Sequence, residues 1–199
     1  MTTHRSIGFL LVAGAFLGSG ALSAQETLME GDLRHGGFGA PVVKFTEIDS
    51  RFGVLVGGRG GWIINGSVVI GGGGYGLVNV ANFEHLMNGA GDPGGLEMGY
   101  GGLELGYIHR PDELVHASLG LLIGAGGLVW NPDGQSGNQA DDAFFIAEPE
   151  LDVVLNATRF FRVAFGVSYR LTQGVQLFGL RDAELSGFAA VLALKFGSF

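Results

Sequence analysis

The residues of this sequence best suited to acid–base chemistry are His116 and Ser118, which lie two positions apart. In an extended segment, residues two apart project from the same face, so the imidazole and the hydroxyl are expected side by side. Glu104 is a candidate neighbour from the preceding segment, across a hairpin. Such a set could supply a nucleophile, its base and an orienting carboxylate. The alternative interpretation is that these side chains make ordinary hydrogen bonds inside the fold.

Composition excludes several other kinds of chemistry. The sequence has no cysteine, which removes disulfides, thiolate nucleophiles and zinc–thiolate sites. Its five histidines show no metal-ligand spacing, so neither a metal nor another cofactor is expected. The chain has 11 basic and 19 acidic residues and a net charge of −8, which opposes a nucleic-acid partner.

The N-terminal segment indicates export. Residues 1–24 have the pattern of a secretory signal peptide, with an apolar core over 7–20 and small residues over 21–24. Residues 25–36 are polar and aperiodic, which predicts a flexible lead-in. We therefore expect a secreted precursor whose folded domain covers residues 37–199.

The folded part divides into segments of about ten residues with alternating apolar and polar side chains, the length that a tilted strand needs to cross a bilayer. Eight such segments are predicted, over residues 39–47, 52–65, 67–79, 96–108, 115–130, 143–155, 159–172 and 185–196. The alternation is clearest in the last three, where Phe, Val and Leu occupy one face and charged or small residues the other. Pro149 interrupts one of them, and we expect a local bulge there.

Short and long connections alternate between these segments. The Asn65-Gly66 pair is typical of a type I′ hairpin turn, because both turn positions require positive φ. The other short turns are expected at 109–113 and 156–158, and the longer loops at 80–95, 131–142 and 173–184. Short periplasmic turns with longer extracellular loops are typical of outer-membrane barrels. A soluble β-sandwich or a lipocalin-type barrel would instead carry polar residues on its outward face.

On these segments and turns, residues 37–199 resemble the small eight-stranded outer-membrane barrels, such as the OmpX type and the OmpA membrane domain. The resemblance implies an all-β, antiparallel, up-and-down transmembrane β-barrel in the cell outer membrane, in contact with its lipid. In that class a terminal aromatic residue is recognised by the barrel-assembly machinery, and Phe196 and Phe199 are the candidates here. Phe199 is out of phase with the apolar face that carries Phe196.

Charged residues on the inward faces predict an ionic interior. The predicted network contains Arg59, Glu104, Glu148, Glu150, Asp152, Arg162 and Arg170. A hairpin centred on Ala157 would place Asp152 opposite Arg162 and bring Phe144 near Arg170. Glu148 and Glu150 then need counter-charges from across the interior, for which Arg59, Lys44 and Lys195 are candidates.

Three functions are compatible with such a barrel. We expect a non-enzymatic structural or interaction protein that uses its extracellular loops, for an unidentified ligand, with the interior plugged by charged side chains. An alternative is an enzyme acting on lipid A or another envelope lipid, because His116 and Ser118 resemble the His-x-Ser arrangement of outer-membrane lipid A deacylases. Those enzymes work near the outer leaflet, whereas His116 follows a short, periplasmic turn. A narrow pore for small solutes is the third function, and eight strands leave little room for one.

Overall fold

A computed structural model describes residues 34–79, 86–87, 93–132, 140–176 and 181–199. The expected signal peptide and residues 25–33 of the expected lead-in lie outside this part, as do residues 80–85, 88–92, 133–139 and 177–180 of the three expected long loops. No helix among the described residues is long and apolar enough to cross a membrane. The elements are β1 (His35–Ile48), β2 (Arg51–Ile64), β3 (Val68–Leu77), β4 (Leu86–Met87), β5 (Pro93–His109), β6 (Val115–Pro132), β7 (Ala140–Asn156), β8 (Phe161–Gln173), α1 (Asp182–Leu185) and β9 (Gly187–Ser198).

Eight long strands close into one antiparallel barrel. Each long strand pairs with the next long strand, including β3 with β5, and β9 pairs with β1, so these contacts form a closed ring. The two-residue strand β4 pairs only with the first two residues of β5. The predicted eight-stranded up-and-down fold is therefore confirmed, and β1 begins at His35, slightly before the expected start of the domain.

The side chains of the long strands alternate between an apolar outer face and a buried inner face. On β8, Phe165, Val167 and Leu171 are exposed on the wall, while Arg170 is fully buried. On β7, Phe145 is 73% exposed whereas Glu148 is 1% exposed. The predicted faces of β7, β8 and β9 are thus confirmed.

Two tight turns set the register at opposite ends of the barrel. Asn65 and Gly66 have φ of 51° and 71°, and the Ser67 amide donates to the Ile64 carbonyl oxygen at 3.1 Å, which confirms the predicted type I′ turn. Asp49 and Ser50, with φ of 49° and 58°, form the two-residue connection between β1 and β2. The end that holds the start of β1, the end of β9 and the Asn65-Gly66 turn is called the terminal mouth below, and the opposite end the loop mouth.

The hairpin of β7 and β8 has a different register from the predicted one. Asp152 lies opposite Gly166, four residues beyond Arg162, and Phe145 lies opposite Gln173. The predicted pairings of Asp152 with Arg162 and of Phe144 with Arg170 are therefore wrong. The cause is a longer turn, in which the Thr158 hydroxyl accepts hydrogen bonds from the amides of residues 160 and 161 at 3.3 and 3.0 Å.

The predicted bulge at Pro149 is also wrong. β7 keeps one register with β8 on both sides of the proline, since Ala147 pairs with Leu171 and Glu150 pairs with Ser168. Pro149 itself lies opposite Leu121 of β6. Proline removes a backbone donor, and the ladder to β8 is interrupted at 148–149, where that donor would be needed.

Apolar packing occupies the two ends of the interior. The larger cluster contains Leu55, Tyr100, Phe144 and Leu185 towards the loop mouth and also reaches Val154 and Ala164, near the terminal-mouth ends of β7 and β8. A smaller one at the terminal mouth consists of Ile63, Val69 and Ile108 with Phe38 and Phe199 packed against it. Charged residues lie among and between these clusters.

Candidate functional site

The charged interior is the best-defined cluster of polar side chains among the described residues. Strand alternation turns its members inward from five of the eight long strands, and each is at most 8% exposed. The members are Lys44 on β1, Arg59 on β2, Glu104 on β5, Glu148, Glu150 and Asp152 on β7, and Lys195 on β9.

Arg59 is the centre of the cluster. Its guanidinium binds Glu150, contacts Glu104 at 3.4 Å and donates to Asp152 at 3.1 Å. The residue opposite it on β3 is Gly73, where an added Cβ would lie 3.1 Å from the Arg59 Cβ. The glycine-rich wall therefore leaves room for a long side chain to cross the interior.

Two lysines complete the contacts of the β7 carboxylates. Lys44 Nζ lies 2.9 Å from Glu148 and 3.4 Å from Glu150, and Lys195 Nζ lies 3.5 Å from Asp152. The structure thus brings together Glu148 and Glu150 with Lys44 and Arg59, the partners that the sequence suggested. Because each carboxylate has at least one cation in contact, the cost of burying these charges is offset by pairing.

Uncharged side chains also contact this cluster, and they were not among the residues predicted for it from the sequence. Glu148 accepts hydrogen bonds from the Tyr100 hydroxyl at 2.8 Å and the Ser168 hydroxyl at 2.6 Å. The Lys44 ammonium lies 3.9 Å from the centre of the Tyr75 ring. Ser168 could have been found from its inward position in the alternation of β8, whereas the tyrosines stand among glycines that blur the pattern.

Arg162 and Arg170 lie outside these ion pairs. Arg170 donates to the Leu185 carbonyl oxygen at 2.6 Å and to the Thr46 hydroxyl at 3.4 Å, so it fastens α1 inside the loop mouth. The Arg162 guanidinium lies over the Phe199 ring, 3.9 Å from its centre. The predicted network therefore separates into a central cluster and one arginine near each mouth.

The three residues of the catalytic alternative make separate contacts. The Ser118 hydroxyl donates to Asp152 at 3.2 Å, and His116 Nδ1 lies 3.2 Å from the Glu113 carbonyl oxygen. Glu104 lies opposite Leu122 and binds Arg59. The structure therefore gives each of the three a partner outside the set. Among the described residues, no group of three or more His, Cys, Asp or Glu could hold a metal ion.

Comparisons with known proteins identify the fold through solved structures. No family model and no curated protein matches this sequence. The chain is similar to Neisserial surface protein A, with a TM-score of 0.59 and 9% identity over 84% of this chain and 99% of that one. It is also similar to the N-terminal β-barrel domain of Pseudomonas aeruginosa OprF, with a TM-score of 0.52 and 13% identity over 83% and 99%.

A third similarity is to Ail, the attachment invasion locus protein of Yersinia pestis. Its TM-score is 0.50 at 13% identity, over 82% of this chain and 97% of that one. At such identities a similarity establishes the fold alone. The resemblance predicted from the sequence, to small eight-stranded outer-membrane β-barrels with transmembrane strands, is confirmed.

Proposed function

We propose that this chain is an outer-membrane β-barrel that is closed to solutes and acts as a structural or binding protein through the connections at its loop mouth. The observation that carries this proposal is a contiguous apolar outer wall around an interior filled by ion pairs. A soluble barrel would have the opposite arrangement of faces.

The outer wall has the dimensions of a membrane-spanning band. Exposed aromatic residues occur near both ends of the strands, with Phe52 and Phe188 towards the loop mouth and Trp62 and Phe196 towards the terminal mouth. Phe52 and Trp62 both lie on β2. Ten residues of strand at about 3.3 Å each, tilted by about 40°, span about 25 Å along the barrel axis, which matches the apolar band of outer-membrane barrels.

The interior supports a closed barrel. Eight strands enclose a space just wide enough for side chains. Arg59 reaches three carboxylates on two strands across this space, and α1 packs its fully buried Leu185 into the loop mouth. An open channel would require these side chains to move apart.

Export, orientation and assembly follow as parts of the same proposal. Residues 1–24 direct secretion, the terminal mouth faces the periplasm, and membrane lipid surrounds the wall. The exposed Phe196 on β9 stacks on Phe161 with ring centres 4.9 Å apart, and we assign contact with the assembly machinery to this last strand. Phe199 stacks on Phe38 at 6.5 Å instead. No catalytic role is assigned to His116 or Ser118.

The test combines location with conductance. In cells making the full precursor, the protein should fractionate with the outer membrane and migrate faster on a gel before boiling than after it. In planar bilayers the purified barrel should give no single-channel steps. A soluble protein without heat-modifiable migration would contradict the membrane assignment, and regular conductance steps would contradict the closed interior. Loss of a lipid A acyl chain that depends on the Ser118 hydroxyl would restore the enzyme alternative.

A further inference from the structure

A wide cleft lies where β1 and β9 separate at the loop mouth. The pairing of these two strands ends at Thr46 and Ala189, although each strand extends two residues further towards that mouth. Beyond the last pair, the Asp49 amide donates to the Glu184 carbonyl oxygen at 2.9 Å, so α1 and the β1–β2 turn bound the opening. The cleft has a volume of about 610 Å³, within the range of about 300–1,000 Å³ that is typical of small-molecule sites.

Three phenylalanine rings form the apolar side of this cleft. Phe45 and Phe52 lie on paired strands, with ring centres 6.3 Å apart and planes 12° from parallel. Phe188 on β9 supplies the third ring, and the three side chains are 43%, 58% and 74% exposed in that order. An exposed ring binds hydrocarbon, and its face attracts a cation that lies within about 6 Å of the ring centre.

Carboxylates make up the charged part of the lining, which contains no lysine or arginine among the described residues. Glu47 lies directly opposite Phe52, and Asp49 begins the turn that follows β1. Neither of these two carboxylates forms an ion pair within the part of the chain that the structure describes. Glu184, the third acid of the lining, is paired with Arg181 at 3.3 Å. Two carboxylates beside exposed rings therefore lack a counter-charge, which favours a cationic ligand.

The shape of this lining suits an organic cation better than a metal ion. Calcium takes six to eight oxygen ligands around one point, and no described group of three or more acidic or histidine side chains converges in that way. An ammonium group needs only one or two carboxylates for its N–H donors. The apolar rings beside those carboxylates then contact the carbon atoms that the ammonium group carries.

We propose that the cleft between β1 and β9 binds a small organic ammonium ion that carries a short apolar group. Glu47 and Asp49 bind the ammonium group, and the rings of Phe45, Phe52 and Phe188 contact the hydrocarbon and the cation beside it. This inference rests on the binding role proposed above for the loop mouth, and it gives that role a class of ligand.

An NMR titration tests the site on the barrel purified from cells that make the full precursor, labelled with ¹⁵N and kept in a non-ionic detergent. The backbone amide signals of Asp49 and Phe188 are followed while butylammonium, butyrate, 1-butanol or calcium is added at matched ionic strength. Butylammonium should shift both signals saturably, and the other three compounds should not. The absence of a saturable shift with butylammonium would overturn the proposal, as would an equal response to butyrate, butanol or calcium.

A pair of charge variants locates the binding in the cleft. Glu47→Gln combined with Asp49→Asn should weaken butylammonium binding by about four- to twenty-fivefold, because each exposed ion pair contributes about two- to fivefold. Asparagine tolerates the positive φ of residue 49, so the turn is kept. Asp112→Asn combined with Glu113→Gln is the matched control, since it removes the same charge in the turn after β5, at the terminal mouth. Equal weakening by both pairs would overturn the proposal.

A second pair of variants tests the rings. Phe45→Leu combined with Phe188→Leu should weaken butylammonium binding by about two- to fivefold for each ring that the cation contacts. Phe145→Leu combined with Phe165→Leu is the control, because both rings are exposed on the wall outside the cleft. Unchanged affinity in the cleft pair would overturn the proposal.

The outcome for the ligand is separable from the outcome for the barrel. Each preparation is checked for faster migration before boiling than after it, so that only folded protein is titrated. A folded wild-type barrel without conductance steps that does not bind butylammonium overturns this inference and leaves the proposed closed outer-membrane barrel standing.

Discussion

Replacing Arg59 by methionine removes a guanidinium that contacts three carboxylates inside the barrel. Glu104 loses its cation, whereas Glu150 keeps Lys44 at 3.4 Å and Asp152 keeps Lys195 at 3.5 Å. Methionine retains much of the side-chain length, so the change removes charge with little loss of volume. The variant therefore measures the electrostatic contribution of Arg59.

The expected loss in the free energy of unfolding depends on how far the cluster is shielded from water. Removing one partner of a buried ion pair costs about 3–5 kcal/mol, whereas an exposed pair contributes about 0–1 kcal/mol. The side chains of Arg59, Glu150 and Asp152 are only 3%, 5% and 5% exposed. Since two lysines remain, we expect a loss near the lower end of the buried range, about 3 kcal/mol.

The assay is urea unfolding of the barrel in lipid vesicles, with the folded fraction read from gel mobility without boiling. Arg110→Met is the control, because it breaks a pair with Glu113 whose side chains are 66% and 54% exposed, and it should cost about 0–1 kcal/mol. Adding Glu104→Gln to Arg59→Met should recover part of the loss, since the carboxylate left without its cation is then neutral.

Two results would refute this reasoning. One is a loss for Arg59→Met no larger than that for Arg110→Met, which would mean that the interior is hydrated enough to screen its charges. The other is a double-mutant cycle between Arg59 and Glu104 without coupling energy, which would mean that their contact does not contribute to stability.

Two further substitutions test packing at specific points. Gly166→Ala should destabilise the barrel by about 1–3 kcal/mol, because its Cβ would collide with the Asp152 carboxylate. The control is Gly120→Ala, whose Cβ would come no closer than 3.8 Å to another side chain. In the same urea titration this control should be nearly neutral. Arg170→Met should release α1 and speed hydrogen exchange of its amides, whereas Arg181→Met, which removes only an exposed contact, should not. Unchanged exchange in Arg170→Met would show that α1 is held by other contacts.

The wall of the barrel could be predicted from the sequence because it depends on local pattern. Alternation along β8 places Phe165 outward and Arg170 inward, whichever strands pair with β8. The Asn65-Gly66 pair favours a type I′ turn because both positions adopt positive φ. Glu148 and Glu150 could be placed inside by the same rule. Their need for cations predicts Arg59, Lys44 or Lys195 as partners; the first two contact them, and Lys195 contacts Asp152 instead.

The pairing of individual residues depends on contacts that local pattern does not contain. The β7–β8 turn is longer than its sequence suggests and contains hydrogen bonds to the Thr158 hydroxyl, and its register places Gly166 rather than Arg162 opposite Asp152. Ser118 is a candidate nucleophile by its spacing from His116, but the register of β6 with β7 places it directly opposite Asp152, to which its hydroxyl donates. Distances across the interior follow from strand number and stagger, which one sequence specifies only indirectly.

Fluorescence quenching by lipids with brominated acyl chains tests most directly whether the apolar wall faces the membrane. Trp62 is 49% exposed on the wall, whereas Trp130 is 5% exposed. In vesicles, the Trp130→Phe variant, which retains Trp62, should lose most of its emission when brominated lipid replaces ordinary lipid. The Trp62→Phe variant, which retains Trp130, should lose little. Equal quenching of both variants, or stronger quenching of Trp130, would contradict a barrel whose outer face contacts lipid.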